Sequence, residues 1–355
     1  MSRVLMKGNE AIAEAAIRCG CRAFFGYPIT PQNEIPEYMS AHMPAAGGVF
    51  LQAESELSGI NMVGGAAGAG VRAMTSTSGP GYALMQEAMS NFSAVGIPLV
   101  VVNMMRSGPG SGGILTYQGD YNQATRGGGN GDYRVIVLAP GDVQEACDLM
   151  QEAFDLAEEY RLPALLLGDA TIGQMMEPVI IRQVTPKQRD KSWATTGWDR
   201  KSRPRATFVS LNFSAEQNEA VILRMEERFA AAAKEARVEL YRMEDAHCAI
   251  VAYGTTARLA YAAVDLLREQ GLKAGLIRPI MLAPFPVERI REAVAREGVS
   301  DVVVMEMSRG MLVDDVRLAL NGMKPVHLFS RVGSIVPLPD EMAEFVRPIL
   351  TKEEK

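Results

Sequence analysis

The segment Ala23-Phe24-Phe25-Gly26-Tyr27-Pro28-Ile29-Thr30-Pro31 joins a short apolar run to two closely spaced prolines. The apolar run has the character of a β-strand. Because proline fixes φ and keeps the preceding residue out of helical conformation, the strand must end in a rigid, extended loop. Open α/β sheets bind ligands in the loops at the carboxyl ends of their parallel strands. The segment therefore predicts a strand that leads into a ligand-binding loop.

Around this segment, short apolar runs alternate with amphipathic helical patterns. Strands are predicted at 22–27, 49–51, 71–75, 98–103, 134–138 and 163–167, and helices at 9–17, 54–68 and 142–159. The run 98–103 is apolar throughout, which is typical of a strand covered on both faces. Strands that alternate with helices of this length indicate an α/β domain with a doubly wound parallel sheet, which we assign to residues 1–180.

The character of the sequence changes after this domain. Residues 181–245 are rich in polar and charged side chains and include a charged helical pattern over roughly 214–243, which predicts a connector on the surface. A second, smaller α/β domain is predicted over 246–355. Its strands are expected at 249–252, 274–277, 301–306 and 326–329. Two domains with a connector suit a chain of 355 residues.

Composition argues against several classes of function. The net charge is −6 without a basic block, which argues against nucleic acid as a partner. No apolar run reaches the roughly 20 residues of a membrane span, and the amino terminus lacks the apolar core of a signal peptide, so we expect a cytoplasmic protein. Cys19, Cys21, Cys147 and Cys248 are scattered and lack iron–sulfur spacing. We therefore expect no cluster and no metal site on this chain.

Two more segments are expected to place polar groups at the sheet edge. Glu54-Ser55-Glu56 opens a helical stretch, and Thr75-Ser76-Thr77-Ser78-Gly79-Pro80-Gly81 ends a strand. Either glutamate is a candidate active carboxylate, the alternative being a carboxylate that the helix dipole favours; spacing alone does not choose between them. The hydroxyl-rich run lacks the Lys-Ser/Thr ending of a phosphate-binding P-loop, and no GxGxxG of a nucleotide-dependent dehydrogenase follows the first strand.

Two side chains suit an anionic ligand. Arg106 follows the strand 98–103 and two methionines, and it precedes the flexible run Gly108–Gly113. Its planar guanidinium can bind a carboxylate through two hydrogen bonds. Thr30 offers a hydroxyl at the tip of the loop between the prolines. The alternatives are a solvated surface arginine and a hydroxyl that stabilises a turn.

Together, these motifs resemble the alpha subunit of the 2-oxoacid:ferredoxin oxidoreductases. The resemblance implies a pyrimidine-binding domain for thiamine diphosphate, followed by a domain like the carboxyl-terminal domain of transketolase. It implies oxidative decarboxylation of a 2-oxoacid with coenzyme A to acyl-CoA, CO₂ and reduced ferredoxin. It also implies that Glu56 hydrogen-bonds the aminopyrimidine ring and activates the cofactor, that Thr30 contacts the substrate carboxylate, and that Arg106 faces the substrate or coenzyme A.

Three further residues on these loops, Pro28, Ile29 and Gly79, are expected to contact the cofactor. Glycine there would permit positive φ and close approach of a ligand. A rival interpretation is a non-catalytic assembly subunit, in which Glu56 and Thr30 would have no chemical role.

One motif that thiamine diphosphate enzymes use is absent from the sequence. They hold the diphosphate and Mg²⁺ with Gly-Asp-Gly and an asparagine farther along. Gly168-Asp169-Ala170 has no asparagine until Asn212, and Gly119-Asp120-Tyr121 fits no better. We therefore expect a beta subunit to hold the diphosphate and Mg²⁺, so that the cofactor lies between two chains. The family resemblance adds a gamma subunit, a ferredoxin-like delta subunit and an external ferredoxin, with the iron–sulfur clusters on partner subunits.

The substrate type is indicated by two glycine-rich segments. Residues 106–114 and 129–133 are similar to the branched-chain type, which uses 3-methyl-2-oxobutanoate, although Ser107 replaces a common glycine and Asn130 a common histidine. The pyruvate and 2-oxoglutarate types remain open. The long segment 119–133 is expected either at the interface with a partner subunit, as the resemblance implies, or as a mobile surface loop.

Overall fold

Strands and helices alternate along the chain in the structure, a computed structural model that describes residues 3–202 and 204–351. The strands are β1 (Val4–Lys7), β2 (Ala23–Gly26), β3 (Val49–Gln52), β4 (Ala73–Thr77), β5 (Val100–Met105), β6 (Ile136–Leu138), β7 (Ala164–Asp169), β8 (Met176–Val179), β9 (Val238–Tyr241), β10 (Cys248–Val251), β11 (Ala274–Pro279), β12 (Met281–Ala283), β13 (Asp301–Glu306) and β14 (Val326–Ser330). The helices are α1 (Gly8–Arg18), α2 (Glu34–His42), α3 (Glu56–Gly68), α4 (Pro80–Val95), α5 (Tyr121–Arg126), α6 (Val143–Tyr160), α7 (Ala170–Gln174), α8 (Ala215–Ala232), α9 (Gly254–Glu269), α10 (Val287–Val294), α11 (Leu312–Leu320) and α12 (Pro339–Leu350).

The larger sheet has the strand order β12-β6-β7-β5-β4-β2-β3. All neighbouring strands in it are parallel except β12, which pairs antiparallel with β6. Every residue of β5 is buried, the polar Asn103 included, in agreement with the prediction of a strand covered on both faces. Helix α3 packs against α4, and α1 packs against α6. The predicted doubly wound parallel sheet is confirmed, and the carboxyl ends of β2, β4 and β5 lie at one edge.

The smaller sheet has the order β14-β13-β10-β11-β9, with only β9 antiparallel to its neighbour. Helix α9 packs against α12. Strand β13 covers the residues that the sequence predicted. The loop that follows it contacts the segment after β5 of the larger sheet, through the hydrogen bond between Met307 and Gln118. A third, two-stranded sheet pairs β1 with β8, which the sequence pattern did not predict.

The structure corrects the prediction for the connector. The charged helix predicted over 214–243 ends at Ala232, and Val238–Tyr241 forms β9 at the edge of the smaller sheet. Val-Glu-Leu-Tyr alternates in the manner of a strand, and pairing with β11 outweighs its helical charge pattern. The connector thus contributes a strand to the second sheet, and the division of the chain at residues 180 and 245 remains a prediction.

Buried hydrogen bonds join the two sheets close to their carboxyl ends. The carboxylate of Asp169, at the end of β7, accepts hydrogen bonds from the backbone N–H of Thr255 at 2.9 Å and from its hydroxyl at 2.5 Å. The side-chain oxygen of Gln118 accepts from the Thr256 hydroxyl at 2.8 Å and from the Met307 N–H at 3.0 Å. These bonds fix the loop after β13 against the segment that follows β5.

The structure also bears on membrane insertion and on the cysteines. Within the described ranges, no helix is both long enough and apolar enough to span a membrane. All four cysteines are buried free thiols. Burial raises the pKa of the Cys19, Cys21 and Cys147 thiols to about 12, so these groups resist forming the thiolate that binds metal.

Candidate active site

The first turn of α3 separates the two candidate glutamates. Ser55 caps the helix, and its hydroxyl accepts a hydrogen bond from the Ser58 N–H at 3.2 Å. Glu56 is the first helical residue and only 6% exposed. Glu54, one residue before the cap, is exposed, and a hydrogen bond from the Ser58 hydroxyl at 2.7 Å lowers its pKa. Spacing alone did not choose between the two, the resemblance assigned the role to Glu56, and of the two the structure buries only Glu56.

Glu56 lies over the start of α4, where only a glycine fits. A Cβ atom at Gly81 would lie 2.6 Å from Glu56 Oε1 and would also collide with the hydroxyl of Thr77. Among the described residues, the buried hydroxyls of Thr75, Thr77 and Ser78 have no hydrogen-bond partner. Each such hydroxyl costs about 1–3 kcal/mol when it is left unpartnered. The buried carboxylate of Glu56 and the unpartnered hydroxyl of Thr77, which both closely approach Gly81, therefore offer polar groups to a ligand.

Gly79 connects this cluster to Arg106. It caps α4 with φ of 38°, a backbone conformation that favours glycine, and Pro80 occupies the first helical position. A Cβ at Gly79 would lie 3.4 Å from Cγ of Arg106. The carboxylate of Asp120 accepts a hydrogen bond from the Gly79 backbone. The predicted closeness of Gly79 to the site is consistent with this geometry, and its contact with a cofactor remains a prediction.

Arg106 holds the loop that the two prolines bracket. Its Nη1 donates to the carbonyl of Thr30 at 2.7 Å, and its Nη2 donates to the carbonyl of Ser111 at 3.1 Å. Its Nε is buried without a partner in the described part of the chain. Both acceptors are neutral, so the charge of the guanidinium is not balanced by either bond. Arg106 is half-buried and presents a cation at the carboxyl end of β5 whose charge neither of these bonds neutralises.

The hydroxyl of Thr30 has a hydrogen-bond partner within its own loop. It lies beside Asn33, whose side-chain amide donates to it at 3.4 Å, while the backbone carbonyl of Thr30 accepts from Arg106. Pro28 is exposed and Ile29 is half-buried. The carbonyl of Ile29 accepts the Gln32 N–H at 3.1 Å, which closes the turn. The structure thus joins Thr30 and Arg106 through the backbone, and the direct roles predicted for the hydroxyl, Pro28 and Ile29 remain untested.

A cavity of about 440 Å³ opens beside Arg106. Its walls come from the first turn of α4, from residues 106–110, from the segment 117–123, and from the loop after β13. Sequence reasoning missed the last wall, which is formed by Arg309 and Met311. The Ser-Arg-Gly that follows β13 reads as an ordinary exposed loop, so no local signal pointed to it.

Asp120 is the carboxylate in this cavity. It accepts a hydrogen bond from the side-chain amide of Asn103 at 3.0 Å, in addition to the bond from Gly79. Burial raises the pKa of Asp120, while these hydrogen bonds and the charge of Arg106 oppose that rise. Asp120 therefore ties the end of β5 to the start of α4 and partly offsets the charge of Arg106.

The glycine-rich segment 119–133 is more ordered than the sequence predicted. It contains helix α5, and the glycines after it fold around the phenol of Tyr133, which accepts the Gly128 N–H at 3.0 Å and donates to Gln86 at 2.5 Å. The hydroxyl of Tyr121 donates to Asp315 at 2.7 Å. Helix α5 thus gives this segment regular structure, and its position at an interface with a partner subunit remains a prediction.

Comparison with known proteins decides the family. Residues 14–245 match the family described as "Pyruvate flavodoxin/ferredoxin oxidoreductase, thiamine diP-bdg". Residues 246–342 match "Pyruvate:ferredoxin oxidoreductase core domain II". The chain belongs to the pyruvate flavodoxin/ferredoxin oxidoreductase family. This confirms the resemblance stated from the sequence, and the chain is an oxidoreductase subunit with a domain of the thiamine-diphosphate-binding class.

A curated relative matches nearly the whole chain. The ketoisovalerate oxidoreductase subunit VorB of Methanothermobacter marburgensis is 45% identical over 343 residues, which cover 96% of each chain. The name of that relative describes a subunit of an oxidoreductase. The similarity to the branched-chain type is thereby confirmed at the level of sequence.

Two solved structures show the same architecture. The 2-oxoglutarate:ferredoxin oxidoreductase from Magnetococcus marinus, with 2-oxoglutarate, coenzyme A and succinyl-CoA bound, superposes with a TM-score of 0.88 and 27% identity. The match covers 99% of this chain and 66% of that one. A split-gene transketolase superposes with a TM-score of 0.61 and 14% identity. The match covers 98% of this chain and 99% of the transketolase chain, and at this identity it shows the fold alone. The predicted transketolase-like architecture is confirmed.

Proposed function

We propose that this chain holds the pyrimidine half of thiamine diphosphate in a 2-oxoacid:ferredoxin oxidoreductase whose substrate is 3-methyl-2-oxobutanoate. The observation that carries the proposal is the buried carboxylate of Glu56 beside the hydroxyl of Thr77, which the fold leaves without a partner. The close approach of Gly81 to Glu56 keeps the space beside the carboxylate free of a side chain. These residues fit a polar heteroaromatic ring.

When bound, thiamine diphosphate supplies the nucleophilic carbon and takes up the electrons that decarboxylation releases. The contribution of this chain is placement and proton control. Glu56 would hydrogen-bond a ring nitrogen, a role that suits a carboxyl group screened from water. Thr77 and Ser78 would donate to or accept from polar atoms of the same ring, which would satisfy their unpartnered hydroxyls.

Arg106 is proposed to bind the carboxylate of the 2-oxoacid. It lies at the carboxyl end of a central parallel strand, its charge is not balanced by its two carbonyl acceptors, and its Nε is free to donate. Bonds to Thr30 and Ser111 fix the plane of the guanidinium before a ligand arrives. We propose that Thr30, Pro28 and Ile29 form the wall of the site on this side, with Gly79 on the other.

The apolar part of the cavity supports a branched aliphatic substrate. Pro80, Ala83, Pro109 and Met311 line it together with the cation of Arg106. Such a wall suits the isopropyl group of 3-methyl-2-oxobutanoate, and the curated relative at 45% identity carries the name ketoisovalerate oxidoreductase. A second candidate is 2-oxoglutarate, which one structural relative binds, because Arg309 adds another cation to the same cavity.

We further propose a division of labour among chains. A beta subunit would hold Mg²⁺ and the diphosphate, and gamma and ferredoxin-like delta subunits would carry electrons on iron–sulfur clusters to an external ferredoxin. The buried thiols of this chain support that division, because their raised pKa values disfavour the thiolate that a cluster needs.

The proposal is tested with the complex reconstituted from this chain and its partner subunits. The kcat/KM for coenzyme A-dependent reduction of ferredoxin is measured with 3-methyl-2-oxobutanoate, 2-oxoglutarate and pyruvate. We expect the branched substrate to be preferred at least about tenfold, the effect of a well-fitted apolar pocket. Preference for 2-oxoglutarate would overturn the substrate assignment, and no turnover of any 2-oxoacid would overturn the function.

A further inference from the structure

The second domain contributes an unpaired cation to the cavity that contains Arg106. Arg309 lies in the loop after β13, and its side chain lines the cavity beside Met311. The residue is exposed, and in the ranges 3–202 and 204–351 its guanidinium has neither a hydrogen bond nor an ion pair. Its charge acts on the phenol of Tyr117, which lines the same cavity. The charge of Arg309 is therefore available to a ligand at the mouth of the cavity.

The loop that carries Arg309 is fixed although the side chain is free. The buried carboxylate of Glu306 accepts the backbone N–H groups of Met311 at 2.9 Å, Leu312 at 3.1 Å and Val313 at 3.1 Å. Gln118 also binds the backbone of Met307. Anchors on both sides hold the backbone of Arg309 in place relative to Arg106, so both guanidinium groups can reach the same cavity.

The two cations lie at different depths. Arg106 is half-buried and bonded to the backbone inside the cavity, whereas Arg309 is exposed. The one carboxylate in the lining, Asp120, is already engaged by Asn103 and Gly79. Apolar atoms of Pro109 and Met311 lie in the same lining. This arrangement suits a ligand that passes an extended, weakly polar arm into the cavity and keeps an anionic group outside.

Coenzyme A is a molecule of that kind, with its thiol at the end of the pantetheine arm and its phosphates at the other end. The cavity is also larger than a five-carbon 2-oxoacid requires, which leaves room for the arm. We propose that Arg309 binds a phosphate group of coenzyme A and thereby directs the thiol past Met311 toward the reacting carbon. The inference rests on the proposed function and adds a binding residue from the second domain to it.

The test compares Arg309→Gln, Arg309→Lys and a control, Arg317→Gln, in the reconstituted complex. Arg317 is an exposed arginine of α11 that faces Asp314 and does not line the cavity. KM is determined separately for coenzyme A and for 3-methyl-2-oxobutanoate. Arg309→Gln should raise the KM for coenzyme A about tenfold or more, as expected for loss of a charge-assisted bond, and leave that for the 2-oxoacid unchanged. Arg309→Lys should recover part of the loss, and Arg317→Gln should match wild type.

Pantetheine, which lacks the phosphates, makes the test specific. With pantetheine as acyl acceptor, wild type and Arg309→Gln should have the same KM, because the group that Arg309 binds is missing. A KM raised equally for coenzyme A and pantetheine, or raised only for the 2-oxoacid, would overturn the assignment. The assignment would also be overturned if Arg309→Gln used 2-oxoglutarate less well, relative to 3-methyl-2-oxobutanoate, than wild type does. That result would make Arg309 a residue that binds the substrate carboxylate.

Calorimetry of coenzyme A binding to the same complexes separates this inference from the proposed function. If Arg309→Gln binds coenzyme A more weakly than wild type, but the wild-type complex turns over no 2-oxoacid, the assignment of Arg309 is supported and the proposed function is overturned. Equal binding by wild type and Arg309→Gln, in a complex that does turn over, would overturn the assignment and leave the function standing.

Discussion

Two clusters of buried polar side chains lie in this molecule, and they differ in how well the protein satisfies them. At the junction of the two sheets, Asp169 accepts three hydrogen bonds, two from Thr255 and one from the Ile172 N–H at 3.3 Å. Beside Glu56, by contrast, the buried hydroxyls of Thr77 and Ser78 find no partner within the described structure. The same residue types thus occur in a completed network and in an incomplete one.

The difference distinguishes buried polar side chains that stabilise the fold from buried polar side chains that are available to a ligand. A completed buried network stabilises one arrangement of the two sheets, and removing one member leaves the others unsatisfied. An incomplete network costs stability in the free chain and gains partners when a ligand binds. Substitutions in the first cluster should therefore lower stability, and substitutions in the second should lower binding or turnover.

The largest effect on stability is expected at the junction. Asp169→Ala leaves the N–H and hydroxyl of Thr255 without an acceptor, and should lower the free energy of unfolding by about 2–4 kcal/mol. Chemical denaturation of this chain measures it, with Asp314→Ala on the exposed surface as the control. A loss no greater than that of the control would mean that the junction does not hold the sheets together.

A smaller effect, on binding rather than stability, is expected at Arg106. Lysine keeps the charge but lacks the planar guanidinium, so it cannot bind a ligand while it also donates to Thr30 and Ser111. Arg106→Lys should therefore weaken 2-oxoacid binding by about 1.5–3 kcal/mol. Steady-state kinetics of the reconstituted complex gives the KM values, and the melting temperature controls for folding. Unchanged constants for both the 2-oxoacid and coenzyme A would remove Arg106 from the site.

The sharpest form of the comparison uses one substitution in both clusters. Thr255→Val should cost about 1–2 kcal/mol of stability, because Asp169 loses a donor. Thr77→Val removes a buried hydroxyl that has no partner, so it should not lower the stability of the free chain and should raise it by about 1–3 kcal/mol. Urea unfolding of the two variants compares them directly. Equal losses would mean that the hydroxyl of Thr77 already contributes to the fold, and the distinction between the clusters would fail.

Much of this architecture could be predicted from the sequence. Strand β13 was predicted to the residue because a fully apolar run with polar ends has few alternatives. Strand β12 was not predicted, because three residues are too few to show the alternation of a strand and its strand pairing is with β6. Helix α5 was missed because glycines surround it and its contacts with Asp315 are distant in sequence.

The site was only partly visible in the sequence. The Pro-bracketed loop and Arg106 were placed correctly at strand ends, because strand ends can be read from local patterns. Spacing alone did not separate Glu54 from Glu56, and the choice of Glu56 came from the family resemblance. The burial of Glu56 depends on how α3 packs against β2 and α4, which no local pattern shows. The entry of Arg309 into the cavity depends on hydrogen bonds between domains, such as that between Gln118 and Met307, and no local pattern reports those.

The central claim is that the buried carboxylate of Glu56 activates the cofactor, and a pair of adjacent variants tests it most directly. Glu56→Gln and Glu54→Gln make the same chemical change two residues apart, one buried and one exposed. Turnover of 3-methyl-2-oxobutanoate is measured in the reconstituted complex at saturating thiamine diphosphate. We predict that Glu56→Gln lowers kcat by about 10²–10⁴-fold while Glu54→Gln stays near wild type. Turnover by Glu56→Gln close to that of Glu54→Gln would contradict the account and favour a non-catalytic assembly role.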